Sequence, residues 1–326
     1  MKPRITDLLD AAVVPGFSRI GYEVRSRISN WENISSFDCD GKTFVITGPT
    51  AGLGRETALQ LATTGAHLVL VARNAQKVEA FADELRQRFS NISVHVVVAD
   101  MGNLQSVMQA AKEISSCTTR IDALIHNAGA LLAEREVGSD GREVTVSTHV
   151  LGPHLMTTLL LNVLRSSHGR VITVSSGGMY AASLPHPDSS FTLELTPSAY
   201  DGSKQYALAK RAQVTLNEMW AQREPLVSFF CMHPGWADTP GVQTSLPLFR
   251  RVTKPILRTP AQGADTIAWL AAAPVISAAS GTFWSDREVR SIHKTPQTRK
   301  SDSDESRKVL WSWCDAAIAP YCEPDN

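Results

Sequence analysis

No apolar run in this chain approaches the roughly 18 residues that a helix needs to cross a bilayer, and no charged leader with an apolar centre precedes the first strand-like run. Net charge is missing too: 32 Lys and Arg stand against 32 Asp and Glu, a formal charge of +0. A nucleic-acid footprint needs a basic excess, so that class of partner is excluded. Cysteine is scarce. Cys39, Cys117, Cys231, Cys314 and Cys322 are scattered and without metal-ligand spacing. They read as reduced thiols in a cytoplasmic compartment, and no metal site is expected. Repeats and low-complexity tracts are absent as well. What remains is globular in composition, with 326 residues, 43% hydrophobic and 20% charged. A core of that size buries about 75% of the unfolded surface and needs no covalent staple.

The chain is organised around Thr47-Gly48-Pro49-Thr50-Ala51-Gly52-Leu53-Gly54. This glycine-rich stretch follows a β-type run and opens onto a helical pattern. Such a turn lets the backbone approach a phosphate, and the helix N-terminus offers it free N–H groups and a positive dipole end.

Short continuous apolar runs at 43–47, 67–72, 93–98, 123–127 and 170–175 predict strands of a parallel sheet buried on both faces. Helices are expected between them at 52–64, 75–89, 104–115 and 142–164, then at 203–223 and 260–272, with further strands at 226–233 and 281–284. The βαβ order predicts an α/β fold, a single doubly wound Rossmann domain with helices on both faces and its ligands at the carboxyl ends of the strands. Residues 41–290 are assigned to it. Residues 1–40 form a helical extension in which Phe17, Ile20, Val24, Ile28 and Trp31 recur at helical spacing. Two readings compete: a helix resting on a membrane surface, or one packing on the domain or a second subunit. The stretch is short and weakly basic, which favours packing. Residues 291–326 read as a polar tail with a terminal helix near 309–318, and 285–305 as poorly ordered.

Three strand ends carry candidate ligand contacts. The second ends in Ala72-Arg73. An acid there would hold a ribose 2′-hydroxyl, whereas an Arg suits a 2′-phosphate, so NADP(H) is favoured over NAD. Asp100, after the third, is read as the acceptor for an adenine amino group. Asn127-Ala128-Gly129, after the fourth, gives a small-residue surface on which a flat ring can lie.

The fifth strand delivers Ser175-Ser176-Gly177-Gly178, and two Tyr-x-x-x-Lys pairs follow, Tyr200 with Lys204 and Tyr206 with Lys210. Four-residue spacing puts each pair on one helix face. An ammonium near a phenol stabilises phenolate, and a Tyr so tuned exchanges a proton with a carbinol oxygen. Tyr206 and Lys210 are preferred, because the amphipathic pattern runs on unbroken after Lys210, whereas Gly202 places Tyr200 at the helix entry.

Together these residues resemble the short-chain dehydrogenase/reductase family over roughly residues 40 to 290. The matching pieces are Thr47-Gly48-x-x-x-Gly52-x-Gly54, Asn127-Ala128-Gly129, Ser176, Tyr206-x-x-x-Lys210, and Pro234-Gly235 with Thr239. Ser-Ser-Gly-Gly-Met at 175–179, Tyr-x-x-x-Lys-Arg at 206–211 and His-Pro-Gly-Trp-Ala-Asp-Thr-Pro-Gly-Val at 233–242 look more particularly like the member-12 branch of that family. The resemblance implies that Ser176 orients a substrate carbonyl and Tyr206 is the general acid/base. It also implies that Lys210 lowers the Tyr pKa and binds the nicotinamide ribose, and that Thr239 meets the carboxamide. Gly48, Gly52, Leu53, Gly54, Arg73, Asp100, Asn127, Ala128, Gly129, Pro234 and Gly235 complete the cofactor contacts. Family members often pair through helices, so a homo-oligomer is expected.

One departure stands out. Where the family commonly has an Asn supporting a proton-relaying water chain, three residues before Gly152, this chain has His149. Imidazole relays protons too, with a pKa nearer neutral than any amide, but it is larger than an amide and need not keep the helix bulge that holds the water. Trp236, Leu246, Leu248, Phe249, Ile256 and Leu257 lie around the loop expected to cover the substrate and suit a lipophilic carbonyl or alcohol. His233 reads as structural. A hydrolase triad of Ser175, Asp238 and His233 lacks the Gly-x-Ser-x-Gly elbow. The expected function is NADP-dependent hydride transfer to or from a lipophilic carbonyl or secondary alcohol, with Tyr206 as general acid/base. The rival is a non-catalytic NADP-binding scaffold, for which only His149 speaks.

Overall fold

The structure is a computed structural model and describes residues 13–245 and 247–322. Its centre is one sheet of eight strands in the order β3-β2-β1-β4-β5-β6-β7-β8. The strands are β1 (Thr43–Thr47), β2 (His67–Ala72), β3 (Val94–Val98), β4 (Ala123–His126), β5 (Arg170–Val174), β6 (Ser228–Met232), β7 (Phe283–Ser285) and β8 (Glu288–Arg290). All neighbours pair in parallel except β7 and β8, which close the edge as an antiparallel hairpin.

Both faces of the sheet are covered, and the strand sequences show why. Phe44, Ile46, Leu68 and Leu70 point into one core, while the alternate residues Val45, Val69 and Val71 point into the other. Strands buried on both faces need apolar residues at every position. On the first side lie α1 (Gly52–Ala62), α2 (Ala75–Arg88) and α3 (Pro260–Ala272), contributing Leu61, Phe81 and Ile267. On the other lie α4 (Leu104–Cys117), α5 (Gly152–Ser166), α6 (Gly202–Arg223) and the terminal α7 (Asp304–Ile318).

Several local expectations change. The helix expected at 142–164 starts as a single turn, Val144–Val146, widens into a π turn at Ser147–Leu151, and regains α geometry at Gly152–Ser166. The stretch 285–305, expected to be poorly ordered, forms β8, a short helix Pro296–Ser301 and the start of α7. Its polarity is spent inward: the Asp302 carboxylate is fully buried and paired with Arg211 at 3.3 Å and Arg307 at 2.9 Å. Ser303 caps α7 through the Ser306 N–H, so that helix starts earlier than its apolar residues indicate.

The N-terminal extension does not form one continuous helix. A short helix Val13–Phe17 breaks at the extended Ser18, and a second helix runs over Arg19–Ile28. The second helix sends Arg25, almost wholly buried, onto Asp286 in the β7–β8 turn. Trp31, expected on the same helix, lies beyond it and packs edge-on against Tyr22. Ile20 and Ile28 stay exposed. Among the described residues no helix is long and apolar enough to cross a membrane.

Candidate active site

The turn between β1 and α1 has the form of a phosphate cradle. Gly48 and Gly52 adopt positive φ, +66° and +55°, which L side chains rarely enter. A Cβ on Gly54 would collide with the Gly48 carbonyl and the Asn127 amide. The α1 N-cap, Ala51, offers no side-chain cap, and no acid lies in the first turn. The leading amides of α1 are therefore left for an anion, with the helix dipole behind them. Leu53 opens α1 at this point and packs against Gly263 of α3.

The floor is tied by Thr47, whose hydroxyl accepts the N–H of both Asn127 and Ala128 at 3.0 Å and donates to Ile125 O at 3.2 Å. The Asn127 amide donates back to Thr47 O and Gly48 O at 3.0 and 3.1 Å. Its role is thus to weld the β1 and β4 ends together, a duty that spacing alone does not reveal. Ala128 sits so close that a Cβ on Gly48 would stand 2.9 Å from its Cα. Thr239 reaches over from the loop after β6, with its Cβ 3.4 Å from where a Gly52 side chain would begin. Arg73 is exposed at the end of β2, with no bond to a described side chain. Asp100 is exposed at the end of β3, where its Oδ1 accepts the Gly102 N–H at 2.8 Å.

α6 carries both Tyr206 and Lys210 and faces this floor. Asp201 caps the helix by accepting the Lys204 N–H, which leaves Tyr200 outside it. Tyr200 donates to Glu143 Oε1 at 3.3 Å, and Lys204 is exposed. Tyr206 instead interacts with the Ser176 hydroxyl and packs edge-on against His149, ring centres 5.2 Å apart. Lys210 is buried, donates to Val174 O at 2.7 Å, and holds its ammonium 5.3 Å from the Tyr206 ring centre. Ser176, Tyr206, Lys210 and His149 therefore meet in one crevice at the carboxyl ends of β4 and β5.

The electrostatics differ from the expectation drawn from spacing. Burial raises the Tyr206 phenol above its ordinary value, and the Ser176 hydroxyl opposes this in part. Burial also pushes Lys210 down to about 7. The tyrosine is thus kept protonated, and the lysine becomes the group that titrates near neutrality.

His149 sits within the π turn, so the wider helix turn persists with imidazole in place. Burial and then the Lys210 charge push it well below the usual histidine range, contrary to the near-neutral pKa expected from its type. Its Nε2 lies 2.8 Å from Ala130 O and 3.2 Å from Ala130 N. Nε2 donates to the carbonyl in one tautomer and accepts from the amide in the other. His149 also lines a cavity of about 30 Å³ with His126, Thr157, Thr173 and Gln213. Its Nδ1, the His126 Nδ1 and the Gln213 Oε1 are buried and unpartnered among the described residues. The space and the polar lining suffice for a water.

The loop after β6 covers the crevice. The His233 Nδ1 accepts the Gly235 N–H at 3.1 Å, and burial pushes its pKa down to about 3, so it is a turn cap. Ser175 donates to Lys210 O, and Asp238 pairs with Arg250 at 2.7 Å, so neither forms a triad with His233. Helix α8 (Pro240–Ser245) reaches the opposite wall, where Ser245 donates to Leu131 O at 3.0 Å. Trp236 meets Phe249 edge-on at 5.2 Å. Leu257 is buried and Ile256 half-buried, whereas Leu248 is 74% exposed and Leu246 lies outside the described residues.

A glycine turn, a welded small-residue floor and a Ser, Tyr and Lys in one crevice define a nicotinamide-dependent oxidoreductase of the doubly wound type. The family model for short chain dehydrogenase matches residues 42–246, and the chain belongs to that family. Within it, the chain falls in the member-12 branch: it is 37% identical to dehydrogenase/reductase SDR family member 12 of Bos taurus, over 90% of this chain and 91% of that one. Retinol dehydrogenase 12 of Homo sapiens is 30% identical, over 83% of this chain and 84% of its own. Among solved structures, an alcohol dehydrogenase from the archaeon Thermococcus sibiricus, complexed with 5-hydroxy-NADP, superposes with a TM-score of 0.56 at 25% identity, covering 72% of this chain and 91% of that one.

Proposed function

We propose that this protein is an NADP-dependent dehydrogenase/reductase that acts on a lipophilic carbonyl or secondary alcohol, with Tyr206 as general acid/base. The convergence of Ser176, Tyr206 and Lys210 on the crevice beside the glycine turn carries this reading. When bound, the cofactor supplies or accepts the hydride.

The chain's own residues do the rest. Amides of Gly52, Leu53 and Gly54 hold the pyrophosphate, and Arg73 takes the 2′-phosphate as a planar, permanently charged fork. The free Asp100 oxygen meets the adenine, and Asn127, Ala128 and Gly129 form the bed for the nicotinamide half. Pro234, Gly235 and Thr239 close over its carboxamide. The Ser176 hydroxyl holds the carbonyl oxygen, and Tyr206 gives it a proton. A raised phenol pKa suits that donor role, because the acid form is the one populated. Lys210, poised to about 7, anchors the ribose and restores the proton to Tyr206. His149 works as a neutral imidazole that is oriented by the Ala130 backbone at Nε2 and offers its Nδ1 to the polar cavity.

The aromatic and aliphatic lid of Trp236, Phe249 and Leu257 supports the lipophilic substrate, as does the likeness to a relative named for retinol. A panel of aldehydes, ketones, steroids and retinoids with NADPH and with NADH tests the proposal. Turnover with NADPH is the expected outcome. Binding of NADPH with no turnover of any member, while His149→Asn restores activity, would replace the enzyme by a scaffold.

A further inference from the structure

Phe17 precedes residues 42–246, which the family model matches, yet it stands beside the residues assigned to substrate. Gly177, next to Ser176, has no side chain, and a Cβ there would be 2.8 Å from Phe17 Cε2. The ring thus occupies the space that the residue after Ser176 would otherwise fill. Its other neighbours are His233, edge-on at 4.5 Å between centres, Trp236 at 6.0 Å, and the Lys294 ammonium, 5.0 Å from the ring centre. Trp236 in turn meets Phe249 of the lid. Phe17 is half-buried and therefore fills the corner between the β5 end and the loop after β6 without being sealed off.

The backbone around it is fastened to the same loop. Phe17 O accepts the Trp236 N–H at 2.8 Å, and a Cβ on Gly235 would stand 2.7 Å from that oxygen. The buried guanidinium of Arg258 donates to Gly16 O at 3.1 Å, Ser18 O at 3.2 Å and Pro234 O at 3.1 Å. It also pairs with both oxygens of Asp286, at 2.6 and 2.9 Å. Arg25 reaches Gly16 O as well, at 3.0 Å, and Asp286 from the other side. One buried carboxylate and two arginines therefore clamp residues 16–18 against the loop that leads to Thr239.

We propose that Phe17 is a specificity-determining residue: its ring walls the substrate cleft next to Ser176 and sets the size of apolar group admitted, while the 16–18 backbone holds the 234–239 loop in place. The inference rests on the carbonyl site assigned under Proposed function. A substrate whose oxygen lies between Ser176 and Tyr206 has Gly177 beside it, and past Gly177 stands the corner that Phe17 and Trp236 bound. Its substituent on that side is then a flat or branched apolar group.

The test compares wild type with Phe17→Ala, Phe17→Leu and Phe17→Trp on ketones and aldehydes of graded bulk, with NADPH affinity measured by fluorescence. Phe17→Ala is expected to shift the ratio of kcat/KM for bulky over small substrates by about tenfold toward the bulky ones, mostly in KM, with Phe17→Trp moving it the opposite way. NADPH affinity should stay as in wild type. Phe17→Leu, which keeps apolar bulk, supplies the comparison if the alanine variant unfolds. An unchanged ratio across all three variants overturns the specificity role. Hydrogen exchange supplies a readout that needs no turnover: the Trp236 amide should exchange at least tenfold faster in Asp286→Ala, which removes the carboxylate that holds both arginines, and unchanged protection overturns the clamp. If wild type reduces no carbonyl, the function assigned above falls, and the exchange data still decide whether residues 16–18 hold the loop.

Discussion

The imidazole of His149 lies where a side chain on Gly129 would have to go: a Cβ there would stand 2.5 Å from His149 Cε1. Glycine at 129 and histidine at 149 are thus two halves of one fit. The third residue of the Asn-Ala-Gly floor is small here because a ring fills the space its side chain would take.

Gly129→Ala therefore has to displace His149 from Ala130. Overpacking of this kind costs about 1–3 kcal/mol, and a second change, His149→Ala, should recover most of it. Urea unfolding of the two single variants and the double variant gives the coupling energy. A cost that is the same with and without the imidazole would show that the ring is not what the methyl meets.

Tyr206→Phe should lower kcat by a factor of about 10² or more, the usual contribution of a positioned acid/base group, while NADPH still binds. Tyr200→Phe should leave kcat nearly as it is, because its hydroxyl is engaged with Glu143. Steady-state rates on one substrate with both variants decide the matter. Loss on Tyr200→Phe alone would reverse the assignment.

Arg73→Ala should weaken NADPH binding by about 1–3 kcal/mol, the scale of a charge-assisted hydrogen bond, and leave NADH affinity unaltered. Fluorescence titration with both nucleotides reads this directly. Equal weakening of both would assign Arg73 a general role rather than one toward the 2′-phosphate.

The lysine gives a pH signature in the cofactor-free protein. Its folded pKa of about 7 lies below the ordinary 10.5. Between those values the unfolded chain binds the extra proton and the folded one does not, so stability climbs with pH, at up to about 1.4 kcal/mol per unit. Below the lower value the charged form is carried in both states and the burial penalty is complete. The gain in stability from Lys210→Met is therefore greatest below neutral pH and shrinks as pH rises toward that of an ordinary lysine. Denaturant melts of both proteins on either side of neutrality measure it. A pH-independent gap would mean that burial does not depress this lysine.

The sheet was legible because strands buried on both faces must be apolar throughout: the runs at 43–47 and 67–72 coincide with β1 and β2 to the residue. The crevice was legible for a related reason, since glycine turns and a Tyr-x-x-x-Lys on one helix face are local patterns. What escaped is long-range. Nothing in the spacing of Asp302 tells a buried acid from a solvated one; only Arg211 and Arg307, brought in by the fold, do so. Arg211 is the residue directly after Lys210, so the helix that carries Tyr206 and Lys210 is also the anchor of the C-terminal segment. Likewise the helical spacing of Phe17 and Ile20 hid a break at Ser18, where the chain turns to dock on Trp236. The tuning of Tyr206 and Lys210 was misjudged because charge proximity can be read from spacing and desolvation cannot.

The Arg25–Asp286 pair joins positions 261 residues apart. The earlier segment must therefore wait for the later one before it has a place to bind. A nascent chain can assemble the glycine turn and the first strands early, since those contacts lie close along the chain. The wall beside Ser176 is completed only after the β7–β8 turn has been made and folded back. Loop closure over so long a span is slow relative to local pairing. The glycine turn is thus built ahead of the corner that Phe17 fills.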